Sequence, residues 1–155
     1  MKPLQRLLHD RRGDIYVSTI LSVLVFVVIM ITFVNLAGIF TTYQSLSYLT
    51  KNVARSVELA GSVDGTVEAA ISRADSELTS DFCAGLESTD SGDIVSASFI
   101  QGNRIQLRDS FTVTCRCVYK VPIITPQLGL EPVTIDIQLA VSIEGMSEVY
   151  WKAGL

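Results

Sequence analysis

The most reactive side chains in the sequence are three cysteines, Cys83, Cys115 and Cys117. Cys115 and Cys117 stand two apart, so on a strand both point to the same face and are poorly placed to bond each other. Cys83 can bridge to one of them if the domain lies in an oxidising space. Closing a loop of about 30 residues would then add roughly 3 to 4 kcal/mol in the chain-entropy view. The alternative is three buried thiols serving as small apolar residues. The sole histidine, His9, lies in a basic leader, which leaves no Ser-His-Asp or Cys-His arrangement for the rest of the chain. Zinc-type Cys and His spacing is absent. Asp75, Glu77 and Asp81 crowd together, and a solvated helix end accounts for them better than a cation site. Gly102-Asn103 and the Gly61 to Gly65 stretch are turn glycines with no phosphate-loop or dinucleotide pattern around them. The residues therefore predict no catalytic, cofactor-binding or metal site, and the chain is not expected to be an enzyme.

A different kind of chemistry is offered by Arg11-Arg12-Gly13-Asp14, where two positive charges and a glycine precede a long apolar run. From Ile15 to Tyr48 there is no charged residue, and Ile20 to Phe33 is almost continuous Leu, Val, Ile, Met and Phe. Roughly 20 such residues, rising 1.5 Å each, cross a hydrocarbon core of about 30 Å. A helix apolar on all sides needs either lipid or a large protein around it, and 155 residues do not supply the second. Lys2, Arg6, Arg11 and Arg12 flank the run on its N-terminal side, against Lys51 and Arg55 mixed with Glu58 on the other. That bias places the N-terminus in the cytoplasm. A removable signal peptide would have an apolar region of about 7 to 15 residues and small residues at its cut. The site near Ala37 has Asn35 in the way, so the segment reads as an anchor. The net charge of −4 argues against a nucleic-acid partner.

The elements that follow must carry a modest globular domain. After Tyr43, Leu46, Leu49, Val53, Val57 and Ala60 recur at helical spacing while Lys51, Asn52, Arg55 and Glu58 take the other side. This predicts one helix of about 45 residues, roughly 70 Å long, ending at Gly61 to Gly65. Thr66 to Leu78 reads as a second helix capped by Thr66, with Val67, Ala70, Ile71, Ala74 and Leu78 on its apolar face. Asp81 to Asp93 reads as a surface loop. Three strands are expected: Ile94 to Gln101, then a tight Gly102-Asn103 turn, Arg104 to Val121 with a bend near Asp109-Ser110, and Val133 to Ile143. The last alternates so regularly that one face should be buried and the other wet. The predicted class is α+β: a long N-terminal transmembrane helix extending into a short second helix, and a three-stranded antiparallel sheet packed on the long helix's upper half. The domain division is 1–13 as a cytoplasmic leader, 14–60 as the long helix with a transmembrane half over 15–40, and 61–155 as an extracytoplasmic domain.

The basic leader ending in Gly13 resembles the processing site of type IV pilin-like precursors. The layout is most similar to the TadE-like pseudopilins of tight-adherence pilus systems. Phe111 to Pro122 (FTVTCRCVYKVP) and Ser147 to Lys152 (SEVYWK) are similar to a Gram-positive branch of that family. The resemblance implies cleavage by a prepilin peptidase between Gly13 and Asp14. It also implies a retained helix that anchors the subunit in the lipid membrane, and partners among other pilin-like subunits and the inner-membrane assembly platform. Ser18, Ser22, Thr32 and Gly38 would allow close helix approach in lipid. Ser18 stands at the fifth position after the cut, where type IV pilins carry Glu, and a serine cannot neutralise a neighbour's amino terminus. The resemblance thus implies a minor pilin or pilus-assembly component. The alternative is an unprocessed single-pass membrane adaptor or binding subunit of a secretion or conjugation apparatus.

Overall fold

The computed structural model describes residues 11–80, 83–100, 102–124 and 133–151, with the side chains of 11–15, 122–124 and 133 left out. The leader residues 1–10 and Asp81 lie outside the described residues. Helix α1 spans Arg11–Ala60, α2 Gly65–Leu78, β1 Cys83–Leu86, α3 Ser91–Ile94, β2 Val95–Ala97, β3 Ser110–Ile124 and β4 Val133–Met146. The fold is α+β. The chain divides into two units, Met1–Gly38 and Ile39–Leu155, and α1 contributes residues to both.

Within the second unit, Leu46, Leu49, Val53, Ala54 and Val57 of α1 and Val67, Ile71, Ala74 and Leu78 of α2 are buried. They join one core with Phe111, Val113, Cys115 and Cys117 of β3. The stripe of threes and fours predicted for the upper part of α1 is the face that the sheet covers. Every buried side-chain nitrogen or oxygen among the described residues has a hydrogen-bond partner, as burial in an apolar interior requires. Thr50 sits in the stripe because its hydroxyl donates to the Leu46 carbonyl at 2.7 Å.

Gly61 ends α1. It adopts φ +60°, the left-handed conformation that glycine enters without a Cβ penalty, and its N–H donates to the Val57 carbonyl at 2.8 Å. A Cβ there would meet Val149 Cβ at 2.5 Å. The next helix is capped by Asp64, not Thr66: the Asp64 carboxylate accepts from the Thr66 N–H at 3.0 Å and from its hydroxyl at 2.6 Å. An ionised carboxylate accepts both donors at once, and these bonds hold the Asp64 pKa below its usual value.

The sheet has four antiparallel strands. Central β3 pairs with β4 along nearly its whole length, from Ser110↔Met146 to Ile124↔Val133. Its other edge is shared by two short strands: β2 beside Phe111 to Val113, and β1 beside Cys117 and Tyr119. The fourth strand, β1, arises inside the stretch expected to be a loop. Four residues bounded by polar segments leave too short an alternation to recognise, and pairing with β3 supplies the order. In the same stretch Asp90 caps the single turn α3, accepting from the Gly92 N–H at 3.1 Å. The expected turn is present, with Gly102 at φ +75° and Asn103 at φ +58° and the Ile100 N–H donating to the Arg104 carbonyl. The two strands it was expected to join are shorter. Residues 104–109 bond instead to other partners: Ile105 N–H to the Gly61 carbonyl, and Arg108 N–H to the Ser147 carbonyl. With Arg108 at φ +70°, the chain turns there and β3 starts at Ser110.

Candidate functional site

In the first unit, the apolar side chains from Tyr16 to Val34 that the sequence places all round the helix are exposed; Val17 is 65% and Phe26 62% accessible. The segment is long and apolar enough to cross a membrane, and none of its most apolar window is buried in protein. Burying such side chains is worth about 1.5–3 kcal/mol each, so an isolated helix of this composition in water would carry a large unfavourable free energy. Solvation by lipid or by other apolar helices removes it. This surface is the candidate functional site, and α1 is a candidate membrane span.

The residues expected to act on it fall as follows. Gly13 and Asp14 lie in the first turn of α1, where the backbone is already helical. Ser18, Ser22 and Thr32 are exposed and Gly38 is half-buried. At about 100° per residue, Ser18, Ser22 and Thr32 fall within an arc of roughly 80° and Gly38 lies on the far side of the helix. The four do not make a single small-residue face. Thr32 donates its hydroxyl to the Val28 carbonyl at 2.9 Å, which satisfies its hydrogen within its own helix, as any apolar surrounding would require.

All three cysteines are buried in the core of the second unit. Burial, reinforced by the neighbouring Cys83 and Cys115, pushes the Cys117 thiol up to about 12. Burial also raises the Cys115 thiol, a shift moderated by its hydrogen bond with Thr50. Both are therefore protonated near neutral pH, the state in which a thiol is a poor nucleophile.

Among the described residues no group of three His, Cys, Asp or Glu side chains is arranged to hold a metal ion. Asp75 is committed to structure: its Oδ1 accepts from the Leu86 N–H at 2.7 Å and ties α2 to β1. A groove of about 810 Å³ in the second unit is open and lined by Glu58, Leu107, Arg108, Glu144, Met146 and Glu148 among others. Arg55 bridges Glu58 and Glu148 there, at 2.9 Å to each, in a solvent-exposed position where such pairs contribute little to stability.

One cluster escaped the sequence reading. Trp151 Nε1 donates to the Gly61 carbonyl at 2.9 Å, its backbone exchanges hydrogen bonds with the Gln106 amide, and the Arg104 guanidinium stacks 4.5 Å from its ring centroid. Ser147 donates to the Ile105 carbonyl nearby. The C-terminal segment thus locks the α1–α2 corner. The Ser147 to Lys152 stretch carried a signal only as a similarity, because its partners lie about 45 and 90 residues away in sequence and local pattern cannot show them.

Residues 23–152 match the family described as Domain of unknown function (DUF4320). The chain belongs to the DUF4320 family. No curated protein and no solved structure matches it. The DUF4320 match takes in most of the apolar part of α1 and continues through Trp151. The anchor-like helix and the capped α+β unit therefore belong to one family pattern.

Proposed function

We propose that this DUF4320 chain is a pilin-like membrane protein, a minor pilin or assembly component of a Tad or type IV pilus-like system. In this reading it is anchored before assembly by the apolar part of α1, with the N-terminus in the cytoplasm and the α+β unit outside. The observation that carries the reading is the apolar surface from Tyr16 to Val34, exposed all round, directly after a basic segment that ends in Gly13. A prepilin peptidase would hydrolyse the Gly13–Asp14 peptide bond and leave the helix intact. The freed helix would exchange lipid for the helices of other pilin-like subunits on a membrane assembly platform. That exchange replaces one apolar surrounding by another, so van der Waals packing and small residues decide it.

Mass spectrometry of the N-terminus after coexpression with a competent prepilin peptidase tests the reading. A mature chain beginning at Asp14 supports it, and an intact leader counts against it. Ser18, in place of a carboxylate, supports a second reading: an uncut single-pass adaptor or binding subunit of a secretion or conjugation apparatus. Protease added outside intact cells separates both from a cytoplasmic placement, since the α+β unit is digested only if it lies outside.

A further inference from the structure

We propose that Cys83 and Cys117 form an intramolecular disulfide and that Cys115 stays a free thiol. Strand β1 pairs with β3 in the register Cys83↔Tyr119 and Leu86↔Cys117. Three steps along β1 therefore match two along β3, the signature of a bulge, and Cys83 and Cys117 end on the same buried face. Cys117 is thus the diagonal neighbour of Cys83 across the strand pair, and both side chains are sealed in the same core. Cys115 has other neighbours: its thiol meets the Thr50 hydroxyl of α1, and its strand partner is Val141 on β4. Cys115 and Cys117, two apart on one strand, would have to distort the backbone to bond each other. The structure thus selects one of the pairings that the sequence left open.

The oxidant would be a disulfide, either a small molecule or a protein, so the inference rests on the extracytoplasmic placement proposed above. One cysteine thiolate attacks a sulfur of that disulfide and expels one thiol, leaving a mixed disulfide. The second cysteine thiolate attacks the protein-side sulfur, closes the Cys83–Cys117 bond and expels the second thiol. Two electrons pass to the oxidant, and the two cysteine protons end on the two released thiols. Because both sulfurs are sealed in the finished core, the exchange belongs to folding, before β1 docks.

The test uses the full-length chain in detergent, refolded from urea with oxidised and reduced glutathione, alkylated and digested with trypsin. Cleavage after Arg73, Arg104, Arg108, Arg116 and Lys120 puts Cys83 in residues 74–104, Cys115 in 109–116 and Cys117 in 117–120. The expected result is 74–104 linked to 117–120, with 109–116 alkylated. Cys115→Ala retains the link and Cys117→Ala loses it. Adding reductant lowers the melting midpoint by on the order of 10 °C. A link between 74–104 and 109–116, or three alkylated cysteines in the refolded chain, overturns the pairing. The same digest of chain alkylated inside its own cells isolates the other premise. Three alkylated cysteines there, beside a correct link after refolding, would overturn the extracytoplasmic placement and uphold the pairing.

Discussion

Helix α1 contains two apolar regions built from the same residue types with opposite fates. Around Val17 to Val34, Leu, Val, Ile and Phe occupy every side of the helix and stay exposed. From Leu46 to Val57 the same kinds of side chain are confined to one stripe, and there Leu46 and Val57 are fully buried. The difference is angular distribution, not hydrophobic content. A stripe can be covered by one sheet, and its charged opposite face keeps water; an all-round surface has no side left for water and must be surrounded. One helix therefore carries a request for two solvents.

The contrast predicts how matched substitutions should diverge. The largest effect is expected at Phe111, which packs into the core: Phe111→Ala should lower the stability of the α+β unit by about 3–5 kcal/mol. Phe26→Ala, at an exposed site on the apolar helix, should change it by less than about 0.5 kcal/mol. Urea unfolding in detergent, followed by Trp151 fluorescence, measures both, and equal effects would erase the distinction between the regions. Next comes Val27→Arg, which at the middle of a membrane span costs about 2.5–3.5 kcal/mol of insertion. The variant should move from the membrane pellet toward the soluble or degraded fraction, and retention of wild-type fractionation would break the lipid side of the comparison.

Smaller effects sharpen the point where the helix changes environment. Gly61→Ala adds a side chain at φ +60° that collides with Val149 Cβ, so a loss of about 1–3 kcal/mol is expected in the same unfolding measurement. The smallest is Asp64→Ala, which removes the α2 cap at a solvent-open site and should cost no more than about 1 kcal/mol. Its pH dependence has a definite sign. The Asp64 pKa is lowered in the folded chain, so its contribution is present above the ordinary carboxylate value of 3.8 and fades as pH falls through the folded value. Wild type and variant should converge in stability at acidic pH; a gap that persists there would mean that Asp64 acts through packing.

Much of this was legible in advance because it is written in local periodicity. The uncharged run, the 3-and-4 spacing from Leu46 to Val57, the glycine stop and the shared face of Cys115 and Cys117 each depend on neighbours within a few residues. Strand β4 shows the limit. Its alternation predicted one buried face; among its described side chains Val141 is buried and Leu139 and Ile143 are partly buried against the core, while Ile135 is 53% exposed. Alternation tells which side chains share a face; the amount of cover depends on where the strand lies. Among the described strands β4 pairs with β3 alone, whereas the α1 and α2 side chains gather over β3.

Residue order was enough to set the α+β class, the split of α1 between a segment apolar all round and an amphipathic stripe, and the basic segment at Gly13. Each follows from composition and short-range order, which the chain carries whether folded or not. Tertiary contacts were needed to show that β1 exists, that Cys83 lies diagonally across the strand pair from Cys117, and that Trp151 closes the corner at Gly61. The cross-strand and corner contacts join residues tens of positions apart, and chain closure, not local preference, brings such groups together.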